Sequence, residues 1–213
     1  MRHVKIPLPA IYPITDTSIS GLSIPEQVQY FIAGGAKLIQ IREKNASSRA
    51  FLKAVEASIA IARTYDVRVI VNDRVDIAML SKADGVHLGQ EDLSPNHARQ
   101  LLGPEAIIGY STHTIDQVRS AAELPIDYLA FGPVFPTSTK SDPDPVVGLK
   151  ILRQVKKIAG DLPLVAIGGI TAENLRSVLD AGADTAAIIS GVLSKPRNIA
   201  ENVADLITIC LPK

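Results

Sequence analysis

The chain has 213 residues, with 22 Lys and Arg against 22 Asp and Glu, 46% hydrophobic residues and only 4% aromatic ones. Its length suits one domain spanning residues 1–213, near the low end for an eight-fold α/β barrel. The cancelled charge argues against a global nucleic-acid or membrane surface, which usually shows a basic excess, but it leaves room for a local anion pocket.

The opening residues Met1 to Pro7 carry early cations followed by a proline-punctuated strand in place of an apolar signal core, which argues against export. No stretch approaches the roughly 20 continuous apolar residues of a membrane helix. The single Cys210 excludes an internal disulfide and fits a reducing, cytoplasmic setting; in the last apolar stretch it reads as a small buried hydrophobe.

A first strand is predicted over residues 10–14, and Ser23-Ile24-Pro25-Glu26 reads as a helix start with Pro25 tolerated in the first turn. Ala33-Gly34-Gly35-Ala36 then turns the chain into a second strand over 37–42. From Ser48 to Tyr65 the spacing of Phe51, Val55, Ile59 and Ala62 puts an apolar stripe on one side of a helix. Strands at 67–71 and 84–88 follow, the second introduced by Lys82-Ala83-Asp84-Gly85.

A fifth strand over 106–110 ends at Ser111-Thr112-His113-Thr114, and Thr114 opens another helix. The sixth strand, 127–131, is entered through Pro125-Ile126-Asp127 and runs into an irregular segment from Gly132 to Val147 with four prolines, expected to act as a lid. A seventh strand at 163–167 precedes Gly168-Gly169 and a helix start at Thr171-Ala172-Glu173-Asn174. Ala181-Gly182-Ala183-Asp184 leads into the eighth, 184–189. Eight strands alternating with helices predict an α/β fold, an eight-stranded (β/α)8 TIM barrel, with a doubly wound open sheet as the alternative.

In such a barrel all strand ends open on one face, so polar clusters distant in sequence meet there. Alternation carries Gln40, Arg42 and Lys44 to one side of the second strand and Ile41 and Glu43 to the other. Arg42 and Lys44 suit a phosphate, or a salt-bridged rim. Asp73 and Asp92 end adjacent strands, as a Mg2+ site with one or two carboxylates requires, or as helix caps do.

Ser111 is a hydrogen-bond donor to a heteroaromatic ligand; His113 and His87 read as packed, hydrogen-bonded histidines more than as bases. Thr137, Ser138, Thr139 and Lys140 offer donors to phosphate oxygens, or form a surface loop. Gly168-Gly169 with Ile189-Ser190-Gly191 supplies both halves of the phosphate cup that barrels build after strands seven and eight.

At these residues the chain resembles the thiamine-phosphate synthases. The likeness runs through Tyr12-Pro13-Ile14-Thr15-Asp16, Gln40 to Lys44, Val71-Asn72-Asp73-Arg74, Gly85 to Asp92, Ser111 to Thr114, Gly132 to Lys140, and Ile167 to Ile170. The resemblance implies a barrel that joins 4-amino-5-hydroxymethyl-2-methylpyrimidine diphosphate to 4-methyl-5-(2-phosphoethyl)thiazole, or its carboxylated form, giving thiamine monophosphate and pyrophosphate. It implies Arg42, Lys44, Asn72 and Lys140 on the diphosphate, Mg2+ on Asp73 and Asp92, and Gln40 and Ser111 on the pyrimidine. Thr137, Thr139, Gly169 and the backbone of Ile189 and Ser190 fall to the thiazole phosphate; Ser138, at the variable place of the threonine motif, and Ile41 and Glu43 are counted among the substrate-binding residues. Arg42, Lys44, Ser111 and Lys140 carry the catalytic role in this carry-over.

The chemistry it implies is dissociative, and the residues agree: they offer many groups that stabilise a departing anion and no nucleophile–base pair. Two other readings stand beside it: a thiazole tautomerase on the same barrel, and a non-catalytic barrel that binds phosphorylated metabolites. Its partners are then small molecules, with neither nucleic acid nor membrane.

Overall fold

In the computed structural model, which describes residues 8–137, 139 and 144–211, eight parallel strands stand side by side. They are β1 (Ile11–Pro13), β2 (Leu38–Ile41), β3 (Arg68–Asn72), β4 (Gly85–Leu88), β5 (Ile107–Thr112), β6 (Tyr128–Phe131), β7 (Leu164–Ile167) and β8 (Thr185–Ile188). The hydrogen-bonded order is β1-β8-β7-β6-β5-β4-β3-β2. A parallel bridge between Ile14 and Gln40, with Thr15 N–H on the Gln40 carbonyl at 2.9 Å, joins the two remaining edges and closes the barrel.

Ten helices are described among these residues: α1 (Thr17–Ser20), α2 (Ile24–Ala33), α3 (Ser48–Arg63), α4 (Val75–Ser81), α5 (Pro95–Leu102), α6 (Ile115–Ala121), α7 (Gly148–Ala159), α8 (Leu175–Asp180), α9 (Ser190–Leu193) and α10 (Ile199–Cys210). The stripe on α3 is buried as its spacing predicts, through Phe51, Val55, Ile59 and Ala62. Each of its larger members contributes about 1.5–3 kcal/mol by leaving water. At the head of α2 the Glu26 carboxylate accepts the Ser23 N–H at 2.8 Å, so the start read from Ser23 forms there.

Three sequence expectations shift. β5 runs two residues beyond its predicted end, because Ser111 and Thr112 go on pairing with Ala130 and Phe131 of β6. The helix expected from Thr171 begins at Leu175, because Asn174 folds the preceding turn, accepting from Thr171 N at 2.9 Å and donating to Gly169 O at 2.9 Å. Cys210 is only half-buried on the last turn of α10, where its thiol donates to Leu206 O at 3.1 Å.

Alternation along the strands divides the core in two. One apolar shell lies between strands and helices, and a smaller one inside the barrel is built by Tyr12, Ile14, Leu38, Ile70, Ile107, Tyr128, Ala130, Val165 and Ala187. The Tyr128 ring occupies the space that any side chain at Gly109 would need.

The turns that lead into strands carry a repeated carboxylate. Asp84, Asp127 and Asp184, each just before β4, β6 or β8, accept the N–H of Val69, Ile108 and Leu164 on the neighbouring strand at 2.7, 2.7 and 2.8 Å. These bonds tie the strand starts together, at the end of a barrel that serves stability and away from the opposite face.

Candidate functional site

The strands end together on the other face. After β2 the chain splits its cations. Arg42 turns toward the end of β1 and pairs with Asp16 at 2.8 Å, while Lys44 reaches across to the Asp73 carboxylate beyond β3. Glu43 goes its own way, accepting from Thr17 Oγ1 at 2.6 Å and from Asn45 N at 2.8 Å. Although burial opposes ionisation, these bonds hold its carboxyl below the usual range. Ile41 is fully buried in the outer apolar shell, so only its backbone is at hand for a ligand.

Asp73 sits in the left-handed region at φ 62°, which aspartate tolerates better than most residues, and its N–H is held by His87 O at 2.8 Å. That turn brings its carboxylate into hydrogen-bonding contact with Asp92, whose own Oδ2 accepts from Gly89 N at 2.7 Å. Burial pushes the Asp92 carboxyl above its ordinary value; the Gly89 amide opposes this and the neighbouring Asp73 charge adds to it. Two touching carboxylates need a proton or a cation between them, and the Lys44 ammonium supplies part of that charge. The donor set is hard oxygen, with open sides for water or phosphate, and fits a magnesium ion.

Gln40 on β2 and Ser111 on β5, three strands apart, lie at the two ends of a hydrogen-bonded series through the barrel interior. Gln40 Nε2 donates to Tyr12 OH at 3.2 Å, the two tyrosine hydroxyls are 3.1 Å apart, and Tyr128 OH lies 3.0 Å from His87 Nδ1. His87 Nε2 is 2.8 Å from Ser111 Oγ. The His87 ring stacks on Tyr128 with centroids 5.5 Å apart. The packed reading of His87 therefore holds, with partners on both ring nitrogens.

His113 is held likewise, its Nδ1 2.8 Å from Gly132 O and 3.4 Å from the Asp144 carboxylate. The proline-rich segment leaves β6 pinned. Val134 is buried, its N–H donates to Ile167 O at 2.9 Å, and Phe135 N–H donates to Gly168 O at 3.0 Å. At the far end Val147 N–H returns to Pro133 O at 2.9 Å. Both flanks of the segment expected to act as a lid are thus tied to backbone carbonyls, at Phe135 and at Val147. Thr139 and Thr137 lie side by side, hydroxyls 3.3 Å apart; Ser138 and Lys140 lie outside the described residues.

The glycine turn after β7 needs its glycines. Gly168 and Gly169 adopt φ 100° and 63°, and a side chain at Gly169 would overlap the Pro136 carbonyl. Beside it, Ile189 precedes α9, whose first backbone bond is Val192 N to Ile189 O at 3.1 Å. The amides of Ser190 and Gly191 thus have no partner within the helix and point outward from its start. Gly191 packs against Ile170 O closely enough that a Cβ would sit at 2.6 Å, which holds the two halves of the cup together.

Sequence reasoning gave no role to Asp16, Tyr12, Tyr128 or Gln90, which donates to Ser111 O at 2.5 Å. Asp16 also caps α1, accepting from Ser18 N and Ile19 N at 3.0 and 3.2 Å. A signal for it existed in the aspartate closing Tyr12-Pro13-Ile14-Thr15-Asp16, but nothing local points from it to Arg42.

Residues 11–192 match the family described as thiamine monophosphate synthase. The chain is 43% identical over 205 residues to a thiamine-phosphate synthase of Koribacter versatilis, covering 94% of this chain and 96% of that protein. It is 46% identical over 198 residues to the thiamine-phosphate synthase of Persephonella marina, covering 92% and 93%. Among solved structures it superposes on the thiamine phosphate pyrophosphorylase of Pyrococcus furiosus with a TM-score of 0.84 at 36% identity, over 93% of this chain and 94% of that one.

Proposed function

Because this chain belongs to the thiamine monophosphate synthase family, we infer that it is a transferase, a thiamine-phosphate synthase, working at the mouth of the barrel. Its substrates in this reading are an aminopyrimidine diphosphate and a thiazole phosphate, with the carboxylated thiazole also accepted. What supports the reading most is one observation: Lys44, Asp73 and Asp92 meet at adjacent strand ends, with Arg42 one strand-end away. Asp73 and Asp92 would hold a Mg2+ ion, which when bound would supply positive charge to the leaving diphosphate.

Arg42 and Lys44 hold the diphosphate, with Asn72 and, from outside the described residues, Lys140. Gln40 and Ser111 orient the pyrimidine. Thr137, Ser138, Thr139, Gly169 and the backbone of Ile189 and Ser190 receive the thiazole phosphate. The bond from the pyrimidine methylene carbon to the diphosphate oxygen breaks first, its electron pair leaving with the diphosphate. The thiazole nitrogen then donates its lone pair to form the C–N bond, and a site rich in anion-stabilising groups assists the first step most.

Pyrophosphate release from the two substrates, measured with and without magnesium, tests the assignment. A thiazole tautomerase or a binding-only barrel would release none. Single-turnover rates across pyrimidines with electron-withdrawing substituents test the order of events, since charge on the methylene makes them fall by orders of magnitude. A flat series rules the dissociative order out.

A further inference from the structure

The buried series from Gln40 to Ser111 has a direction. Tyr12 and Tyr128 are wholly enclosed, and burial raises both hydroxyls, so each keeps its single proton. The Gln40 Nε2 group can only donate, and Tyr12 OH accepts from it. With the amide so oriented, the Tyr12 proton has one remaining partner among the described residues, Tyr128 OH at 3.1 Å; only a series with the amide and every donor reversed also pairs each buried O–H. Tyr128 must in turn donate to His87 Nδ1. A neutral imidazole accepting at Nδ1 carries its proton on Nε2, which donates to Ser111 Oγ at 2.8 Å.

Two consequences appear at the ends. Ser111 Oγ, already an acceptor from His87, keeps its own proton for whatever lies in the mouth. Gln40, with its nitrogen committed to Tyr12, is held against an amide flip, which leaves its Oε1, without a partner among the described residues, as the acceptor at this end. We propose that Tyr12, Tyr128 and His87 are positioning residues that fix Ser111 as a donor and Gln40 Oε1 as an acceptor, and thereby select an aminopyrimidine over its oxo analogue.

The selectivity half rests on the function inferred above. An aminopyrimidine offers a bare ring nitrogen to the Ser111 hydroxyl and an amino N–H to Gln40. The oxo analogue sets a carbonyl oxygen against Gln40 Oε1, and the glutamine cannot turn its amide round without breaking the series.

The direction itself is testable without any substrate. In 15N-labelled, ligand-free protein, with the His87 signals assigned by their loss in a His87→Asn variant, the ring should appear as the Nε2–H tautomer. The reverse series, with every donor turned round, places the proton on Nδ1, and finding it there overturns the proposal. Tyr128→Phe should abolish the tautomer preference, and Tyr12→Phe should free the Gln40 amide.

In both variants the ratio of binding constants for the aminopyrimidine diphosphate and its 4-oxo analogue should fall by about tenfold or more, while KM for the thiazole phosphate stays put. A tyrosine that only fills space would lower melting temperature in the phenylalanine variants and move neither the tautomer nor the ratio, and that result also overturns the proposal. If the tautomer is found as expected but wild-type protein releases no pyrophosphate from any aminopyrimidine diphosphate, the assigned reaction fails and the direction of the series stands.

Discussion

Two cations from one short run meet different fates, and the difference predicts how their loss is felt. The Arg42 side chain is 17% exposed and paired to an Asp16 that is 8% exposed, whereas the Lys44 side chain is 52% exposed. Arg42→Ala strands a mostly buried carboxylate and is expected to lower both activity and melting temperature. Lys44→Ala should cost about 2–4 kcal/mol of transition-state stabilisation with little change in melting temperature. Kinetics and thermal melts on both variants check this, and equal melting temperatures for the two would remove the structural role given to Asp16.

Asp92 works against the metal-free fold. Its carboxyl is raised by burial first and then, against the Gly89 amide, by Asp73, so the folded protein holds that proton more tightly than the unfolded chain does. The ionised group therefore destabilises at neutral pH. That penalty grows as pH rises from the ordinary value near 3.8 through the raised one, and is absent below both. Asp92→Asn should consequently match wild type in melting temperature at acidic pH and exceed it at neutral pH without magnesium, while activity collapses. Melts over that range decide it; a variant less stable than wild type at neutral pH would mean that the carboxylate is a structural cap.

Among the elements, the repeated turn is the most legible feature of the sequence. Small-residue or Asp turns ahead of four strands, and short apolar runs for the others, placed each of the eight within two residues of its observed ends, because a helix stop and a buried strand leave strong local signatures. The reason for the Asp was not legible. It takes an N–H from the strand beside it, and for Asp127 also the Arg99 guanidinium at 2.7 Å, contacts set by neighbours about 20 residues or more away. Asp127→Ala leaves the Ile108 amide unpaired and strips a largely buried Arg99 of its counter-charge, leaving it backbone carbonyls alone, and is expected to cost about 2–4 kcal/mol in chemical denaturation with the mouth unaltered.

The proline-rich connection shows the same limit. Its length signalled function, but the backbone bonds that fix its ends join it to β7, which sequence pattern does not reach. The amides of Val134 and Phe135 are expected to resist hydrogen exchange equally with and without ligands. Ligand-dependent protection there would extend the moving part back to Gly132.

For the molecule as a whole, the eight-fold count, the shared face of strand ends and the cup after β7 and β8 were all readable, since each depends on order along the chain. The pairings across the barrel were not: Arg42 with Asp16 and Tyr12 with Tyr128 depend on closure, which brings together residues 26 and 116 positions apart. Closure also has an order in time. β1, made before the other described strands, finds its neighbour in β8, the last of them, through Ile11, Tyr12 and Pro13 against Ala186, Ala187 and Ile188. A nascent chain leaving the ribosome therefore carries two unsatisfied sheet edges until residue 188 has emerged. A chain truncated before Thr185 should accordingly sediment as aggregate, where one ending after α10 is monodisperse; the eighth strand must be made before this enzyme has a pocket at all.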